Sequence, residues 1–238
     1  TWTARKKYVL FMGSGGQIVG QVLRKNGKKK KGDVILTKIG NGEGIPLDAA
    51  TDNDGNAYIV YGHYRSATNQ ANLEWLSVDR KLRIQDTMQL MANLTVNNEY
   101  FLRYSYVAHD PDSDVFAFVC RVAPAHSTYC TFDGNGSFVK PMTNTPSDIT
   151  PRAILLDPAA GSFAYFYFLL SYNGVTDLVD FHLTSFFPNG TLDIIARHFK
   201  QVSNEIDFMG CGISRIGSVF VVWINDGGPI GIHGRLWF

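Results

Sequence analysis

Runs of four or five consecutive apolar residues, each followed by a turn and an alternating segment, recur along this chain, and helical periodicity is nearly absent. The strongest runs are Tyr8-Val9-Leu10-Phe11-Met12, Tyr58-Ile59-Val60-Tyr61, Phe116-Ala117-Phe118-Val119-Cys120, Ala164-Tyr165-Phe166-Tyr167-Phe168 and Phe220-Val221-Val222-Trp223-Ile224. Their first residues are spaced 50, 58, 48 and 56 apart. A period near 50 residues with several strands per unit predicts a β-propeller. Consecutive apolar positions suit the middle strand of a blade, because both of its faces pack against neighbouring blades.

Each unit repeats one internal order. A weaker strand of small residues precedes the strong one, as in Pro46-Leu47-Asp48-Ala49-Ala50 and Pro151-Arg152-Ala153-Ile154-Leu155. Small side chains suit an innermost strand, where blades converge. A third, more polar strand follows at Ile18 to Leu23, Leu73 to Val78, Ser127 to Phe132, Leu178 to Leu183 and Ile230 to Trp237. Gly-containing turns such as Lys25-Asn26-Gly27 and Pro188-Asn189-Gly190 come next. A fourth strand then closes units one to four, for example Asp33 to Thr37 and Thr191 to Ala196.

The expectation is an all-β, five-bladed propeller in a single domain, 1–238, with blades at about 1–43, 44–99, 100–148, 149–205 and 206–238. A β-sandwich with long loops is the alternative fold. After Phe220 only 18 residues remain and only 7 precede Tyr8, so the last blade is expected to lack its outermost strand. That leaves Leu236, Trp237 and Phe238 on a bare edge, which proteins usually cover. A continuing polypeptide, another chain's strand, or a tolerated three-stranded blade would each account for it.

The repeat wording resembles a known group. Phe220-Val221-Val222-Trp223 followed by Gly231-Ile232-His233-Gly234-Arg235-Leu236 is similar to repeats of large bacterial extracellular adhesin-like and calcium-toxin-like proteins. The first unit, from Tyr8 through Gly16 to Gly27, shares that outline, while the middle three keep the rhythm with other residues. The resemblance implies an extracellular module used in adhesion or recognition, and it carries over no catalytic residue. Five-bladed lectins compare by blade count alone.

Composition narrows the picture. The chain has 238 residues, 45% hydrophobic, 13% aromatic and 18% charged, with net charge +1, which excludes a disordered coil. Nucleic acid is not an expected partner, and no apolar run is long enough to span a membrane. The chain opens on Thr without a signal peptide, as a processed or excerpted chain would. Three sequons, at Asn93, Asn135 and Asn189, favour a secreted or extracellular protein. Of the three cysteines, Cys120 and Cys130 flank one hairpin, so either a bridge or two buried thiols is open; Cys211 stands apart.

Candidate chemistry lies in the acids. Glu43, Glu99, Asp148 and Glu205 fall 15, 17, 16 and 15 residues before their strong strands, which would set them on one rim as ligand-binding carboxylates or as turn caps. Asp52, Asp54, Asp110, Asp112 and Asp114 occupy turns on the other rim, where alternate hard oxygens could wrap calcium or simply build hairpin turns. No other cofactor is called for. The six histidines form no close pair, and Trp75, Trp223 and Trp237 read as packing residues. Lys28 to Lys31, with Arg24 and Lys25, form a basic turn, either solvated or in contact with an acidic polysaccharide or membrane surface.

Nucleophile-elbow, phosphate-loop and dinucleotide motifs are absent from the sequence. The functional expectation is therefore a non-enzymatic recognition or adhesion module binding a glycan or protein, or else a structural subunit of an extracellular assembly. A propeller glycoside hydrolase using carboxylates such as Asp48, Glu99, Asp148 and Glu205 is the minority reading.

Overall fold

The computed structural model describes residues 2–3, 7–14, 16–30, 32–38, 43–65, 67–95, 102, 104–123, 126–145, 149–172, 177–194, 197–203, 206–225 and 231–237. Nineteen strands among these residues form five antiparallel sheets in chain order. Sheet one holds β1 (Trp2–Thr3), β2 (Lys7–Ser14), β3 (Gln17–Leu23) and β4 (Val34–Lys38). Sheet two holds β5 (Glu43–Thr51), β6 (Ala57–Arg65), β7 (Gln70–Val78) and β8 (Ile84–Thr95). Sheet three holds β9 (Ser105–Asp110), β10 (Val115–Ala123), β11 (His126–Asp133) and β12 (Phe138–Asn144). Sheet four holds β13 (Thr150–Asp157), β14 (Ser162–Tyr172), β15 (Asp177–Phe186) and β16 (Arg197–Ser203). Sheet five has three strands, β17 (Ile206–Ile213), β18 (Val219–Asn225) and β19 (Gly231–Trp237).

Each sheet is a meander, every strand pairing with the next in sequence. The strong strands do bury both faces. Tyr58 and Val60 of β6 enter the core shared with sheet three, while Ile59 and Tyr61 enter the core shared with sheet one. In β10, Phe116 and Phe118 face sheet two and Ala117 and Val119 face sheet four. In β14, Tyr165 and Tyr167 face sheet three and Ala164 and Phe166 face sheet five. Four cores thus join the five sheets consecutively. In the core between sheets two and three, Tyr58, Trp75, Phe132 and Phe116 form a closed circuit of ring contacts at 4.1 to 5.8 Å.

The two terminal sheets each expose apolar side chains on the face turned away from their neighbour, although Val19 on that face of sheet one is buried. On sheet one Leu10 is 43% and Ile35 51% exposed; on sheet five Phe220 is 44%, Leu236 46% and Ile232 73% exposed. The opposite face of β18 packs normally, with Val219, Val221 and Trp223 against Phe166, Phe181 and Leu183.

One expected strand is displaced. Of the expected fourth strand of unit four, Thr191 to Ala196, the described residues 191–194 form no strand, and the fourth strand is β16, beginning at Arg197. Leu192 makes only an isolated bridge with Phe186, and Asp193 and Ile194 bond back to Ser185, closing the turn. The long β15 needs a partner out to Leu178, and Leu178 pairs with Ser203.

Candidate functional site at the inner strands

The first strand of each sheet has a ladder partner on one side only, so it tolerates interruption. Sheets two and four exploit this in the same way. The ladder between β5 and β6 skips from Pro46 to Asp48, and that between β13 and β14 skips from Pro151 to Ala153. Leu47 and Arg152 are the extra residues, each following a proline. A bulge re-aims the residues around it.

Asp48, just past the first bulge, reaches the next sheet. Its Oδ2 accepts the backbone N–H of Val107 on β9 at 2.9 Å, and its Oδ1 accepts that of Ala49 at 2.8 Å. Burial pushes its carboxyl above the ordinary aspartate range, and the two backbone donors hold the shift back. Tyr106, one residue before Val107, is pushed up to about 12, mainly by burial; the Arg152 charge opposes that shift, and Asp48 reinforces it. Arg152 lies over the ring of Tyr104, its Cζ 4.7 Å from the centroid, with Arg121 at 5.8 Å from the same ring. Cys211 on β17 completes the neighbourhood of Tyr106. A pocket of about 270 Å³ opens between sheets one and two, with Asp48, Pro46, Leu47, Phe11 and Ile59 in its wall.

This arrangement offers a carboxylate, a guanidinium and two phenol rings from three consecutive sheets. Such a set can accept from and donate to hydroxyls and can stack on a sugar ring or an apolar side chain. From the sequence Asp48 enters only as one carboxylate of the glycoside-hydrolase alternative, with Glu99, Asp148 and Glu205. The local signal for the cluster was the proline in an otherwise weak strand, at Pro46 and Pro151, because it marks an edge with room for a bulge.

Of the four rim carboxylates, Glu99, Asp148 and Glu205 lie outside the described residues, as does the side chain of Glu43 at the start of β5. The turn acids are described. Asp52 accepts from the Asn56 backbone N–H and Nδ2, both at 2.8 Å. Asp110 accepts from the Asp112 N–H at 3.1 Å and from the Ser113 hydroxyl. Asp114 meets His109 at 3.0 Å, and Asp54 and Asp112 are exposed. Among the described residues no three His, Cys, Asp or Glu side chains gather as a metal site.

Cys120 and Cys130 are not bridged; both are free and buried. The register sets Cys120 opposite Thr128 and Cys130 opposite Phe118, so bridging them would require the strands to slip by two residues. Asn135 and Asn189 are exposed in turns, whereas the side chain of Asn93, within β8, lies outside the described residues. On β19 Leu236 is exposed, and the Trp237 side chain and Phe238 lie outside the described residues. No helix among the described residues is long and apolar enough to cross a membrane.

Neither a protein-family model nor a curated protein matches this sequence. Solved structures do. Prolyl oligopeptidase B from Galerina marginata aligns with 98% of this chain at 12% identity and a TM-score of 0.52; the chain spans 31% of that protein's length. An endo-arabinase from Bacteroides thetaiotaomicron aligns over 99% of this chain and 94% of its own, at 8% identity and a TM-score of 0.46. A polysaccharide lyase of the ulvan lyase type aligns over 99% and 68%, at 12% and 0.49. The chain is therefore an all-β protein with a propeller-like set of antiparallel sheets. The expectation of a non-enzymatic protein is corrected by the same comparison, since these similar structures are enzymes. At such identities the likeness extends to the fold alone.

Proposed function

We propose that the five sheets are the blades of one five-bladed propeller and that its inner-strand cluster holds a glycan or a protein segment outside the cell. The observation that carries this reading is the Asp48 carboxylate, which stands in the wall of an open pocket and bonds across to Val107, beside Tyr106, on the next inner strand. Ligand sites combine such apolar walls with a few convergent polar groups. Ring closure would bring the exposed side chains of Leu10 and Ile35 against those of Phe220, Ile232 and Leu236. Exposed Asn135 and Asn189 support the extracellular placement, in keeping with the adhesin-like wording of the first and last units. The edge of β19, which pairs only with β18 among the described residues, would take a strand from another chain or chain segment.

A glycan array scored for bound ligand, with released sugar measured in parallel, tests the reading. Arg152→Ala and Tyr106→Phe should each weaken whatever is retained or turned over. An array with no bound and no cleaved glycan removes the glycan reading, and unchanged behaviour of both variants removes the inner-strand site. For the edge, size-exclusion mass at micromolar concentration should exceed that of a 26.5 kDa monomer if a second copy pairs with β19.

A further inference from the structure

The molecule's most concentrated charge lies far from the inner strands. Residues 24–31 carry six of the chain's 22 Lys and Arg and no acid, while the whole chain has a net charge of only +1. The remainder is therefore acidic. The segment lies between β3 and the outermost strand β4, and its described residues, 24–30, form a hairpin turn. Gly27 N–H bonds to the Arg24 carbonyl at 2.9 Å, Arg24 N–H to the Lys28 carbonyl at 2.8 Å, and Lys30 N–H to the Val22 carbonyl at 2.8 Å. Arg24, Lys25, Lys28, Lys29 and Lys30 are all exposed. Among the described residues only Lys29 of these five has an ion-pair partner, Asp33 at 3.2 Å.

A second hairpin adds to this patch. The turn between β7 and β8 runs Asp79-Arg80-Lys81-Leu82-Arg83, with Asp79 accepting the backbone N–H groups of Lys81 and Arg83 at 2.8 and 2.9 Å. Leu82 sits at φ +64°, which is costly for a leucine, yet it is 3% exposed and packs with Val22 and Leu36 of sheet one. Burying that side chain holds the turn against sheet one and leaves Arg80, Lys81 and Arg83 exposed beside it. Arg83 is paired with Asp79 at 2.6 Å and Arg80 lies against Gly55, so Lys81 is the cation that this second hairpin adds to the patch.

We infer that this double hairpin is a binding surface for an anionic polysaccharide, one bearing uronate or sulfate groups. A linear polyanion can follow the cations alone. A flat anionic membrane would also meet the acidic turns on the same rim. Those turns adjoin through the bond from Asn53 Nδ2 to the Pro111 carbonyl at 2.7 Å, and they present Asp54, Asp112 and Asp114. The two turns also contain no aromatic residue, and only Leu82 is apolar and is buried, so nothing can insert into lipid or stack on bases. Lysine ammoniums on flexible stems suit dispersed carboxylate and sulfate groups.

Chromatography on heparin and polygalacturonate resins, with dextran resin as the neutral control, tests the surface. The protein should be held at low salt by both acidic resins and not by dextran. Release should come by about 0.5 M NaCl, where the screening length has fallen to roughly 4–5 Å. The triple variant Lys25→Glu, Lys28→Glu, Lys30→Glu should bind heparin at least about tenfold more weakly with an unchanged unfolding midpoint, because these side chains are exposed. Lys81→Glu should weaken binding as well, as a shared surface requires. Flow-through of the wild type at low salt, or retention indifferent to the charge reversals, overturns the inference. So does tighter binding, at equal salt, to phosphatidylserine vesicles or to a DNA duplex.

Discussion

The Oδ2 atom of Asp48 on sheet two lies 2.9 Å from the backbone nitrogen of Val107 on sheet three, 59 residues further along the chain. The bond satisfies an N–H on the inner side of an edge strand, where no further strand can reach it. It also holds a carboxylate in a partly buried position beside Tyr106. One side chain therefore ties two inner strands together and contributes to the candidate site.

Replacing Asp48 with Ala should leave the Val107 and Ala49 N–H groups without their acceptor, at a cost of about 1–3 kcal/mol for the more buried of them. Denaturant unfolding would register this as a lower midpoint with little change in slope.

Asp48 should also impose a pH dependence of definite sign. Its carboxyl titrates above the ordinary aspartate value in the folded chain, so between the two values the native state binds the extra proton. Stability should then fall as pH rises from near 4 through the folded value, and this component should vanish in Asp48→Asn. A pH series of unfolding midpoints for both proteins gives the comparison.

Gly136 is predicted to be intolerant of substitution. It lies in the β11–β12 turn at φ +86°, and an added Cβ would collide with Cζ2 of Trp75 in the neighbouring sheet. Gly136→Ala combines left-handed strain with overpacking of a fully buried ring, each worth roughly 1–3 kcal/mol. A thermal unfolding scan should show a drop of several degrees. The neighbouring bond from the Tyr58 hydroxyl to the Gly134 carbonyl, at 3.1 Å, holds the same turn against sheet two. Tyr58→Phe should cost less, about 0.5–1.5 kcal/mol.

The thiols should be inert. Burial pushes Cys120 and Cys211 up to about 12 and Cys130 well above its usual value. Alkylation of the native protein at pH 8 should be on the order of a thousandfold slower than that of a free cysteine, and should become rapid on unfolding. Intact mass should be identical with and without reductant.

Closure of the ring can be read from Leu236. Leu236→Lys should lower stability by about 1–3 kcal/mol if its face packs on sheet one, because a charge would replace a buried apolar chain. A change within about 0.5 kcal/mol, the usual range for surface sites, would count against five-bladed closure.

The β-strand content and the order of the elements were legible in the chain itself. Two-sided strands such as Phe116-Ala117-Phe118-Val119 have no polar face, so they must lie between two other layers whatever those layers are. Turn residues such as Asp52 and Gly55 then delimit them through local backbone preferences. These are properties of nearest neighbours in sequence, and nearest neighbours settle them. The start of β16 is not legible locally, because Thr191 to Ile194 have the composition of a strand; only the pairing of β15 beyond the Phe186–Leu192 bridge shows where the ladder resumes.

What the residues meet across sheets was decided by the tertiary structure. Asp48 reads as one acid among many until a bulge at Leu47 turns it towards Val107. Cys120 and Cys130 look poised to bridge until the register sets Thr128 opposite the first and Phe118 opposite the second. Leu82 lies in a polar turn, and its burial against sheet one follows from no local preference, since its φ of +64° opposes one. Periodicity along the chain determines which faces must be covered. The partner that covers each face, and the charges brought together as a result, depend on contacts between residues far apart in sequence, which local pattern does not encode.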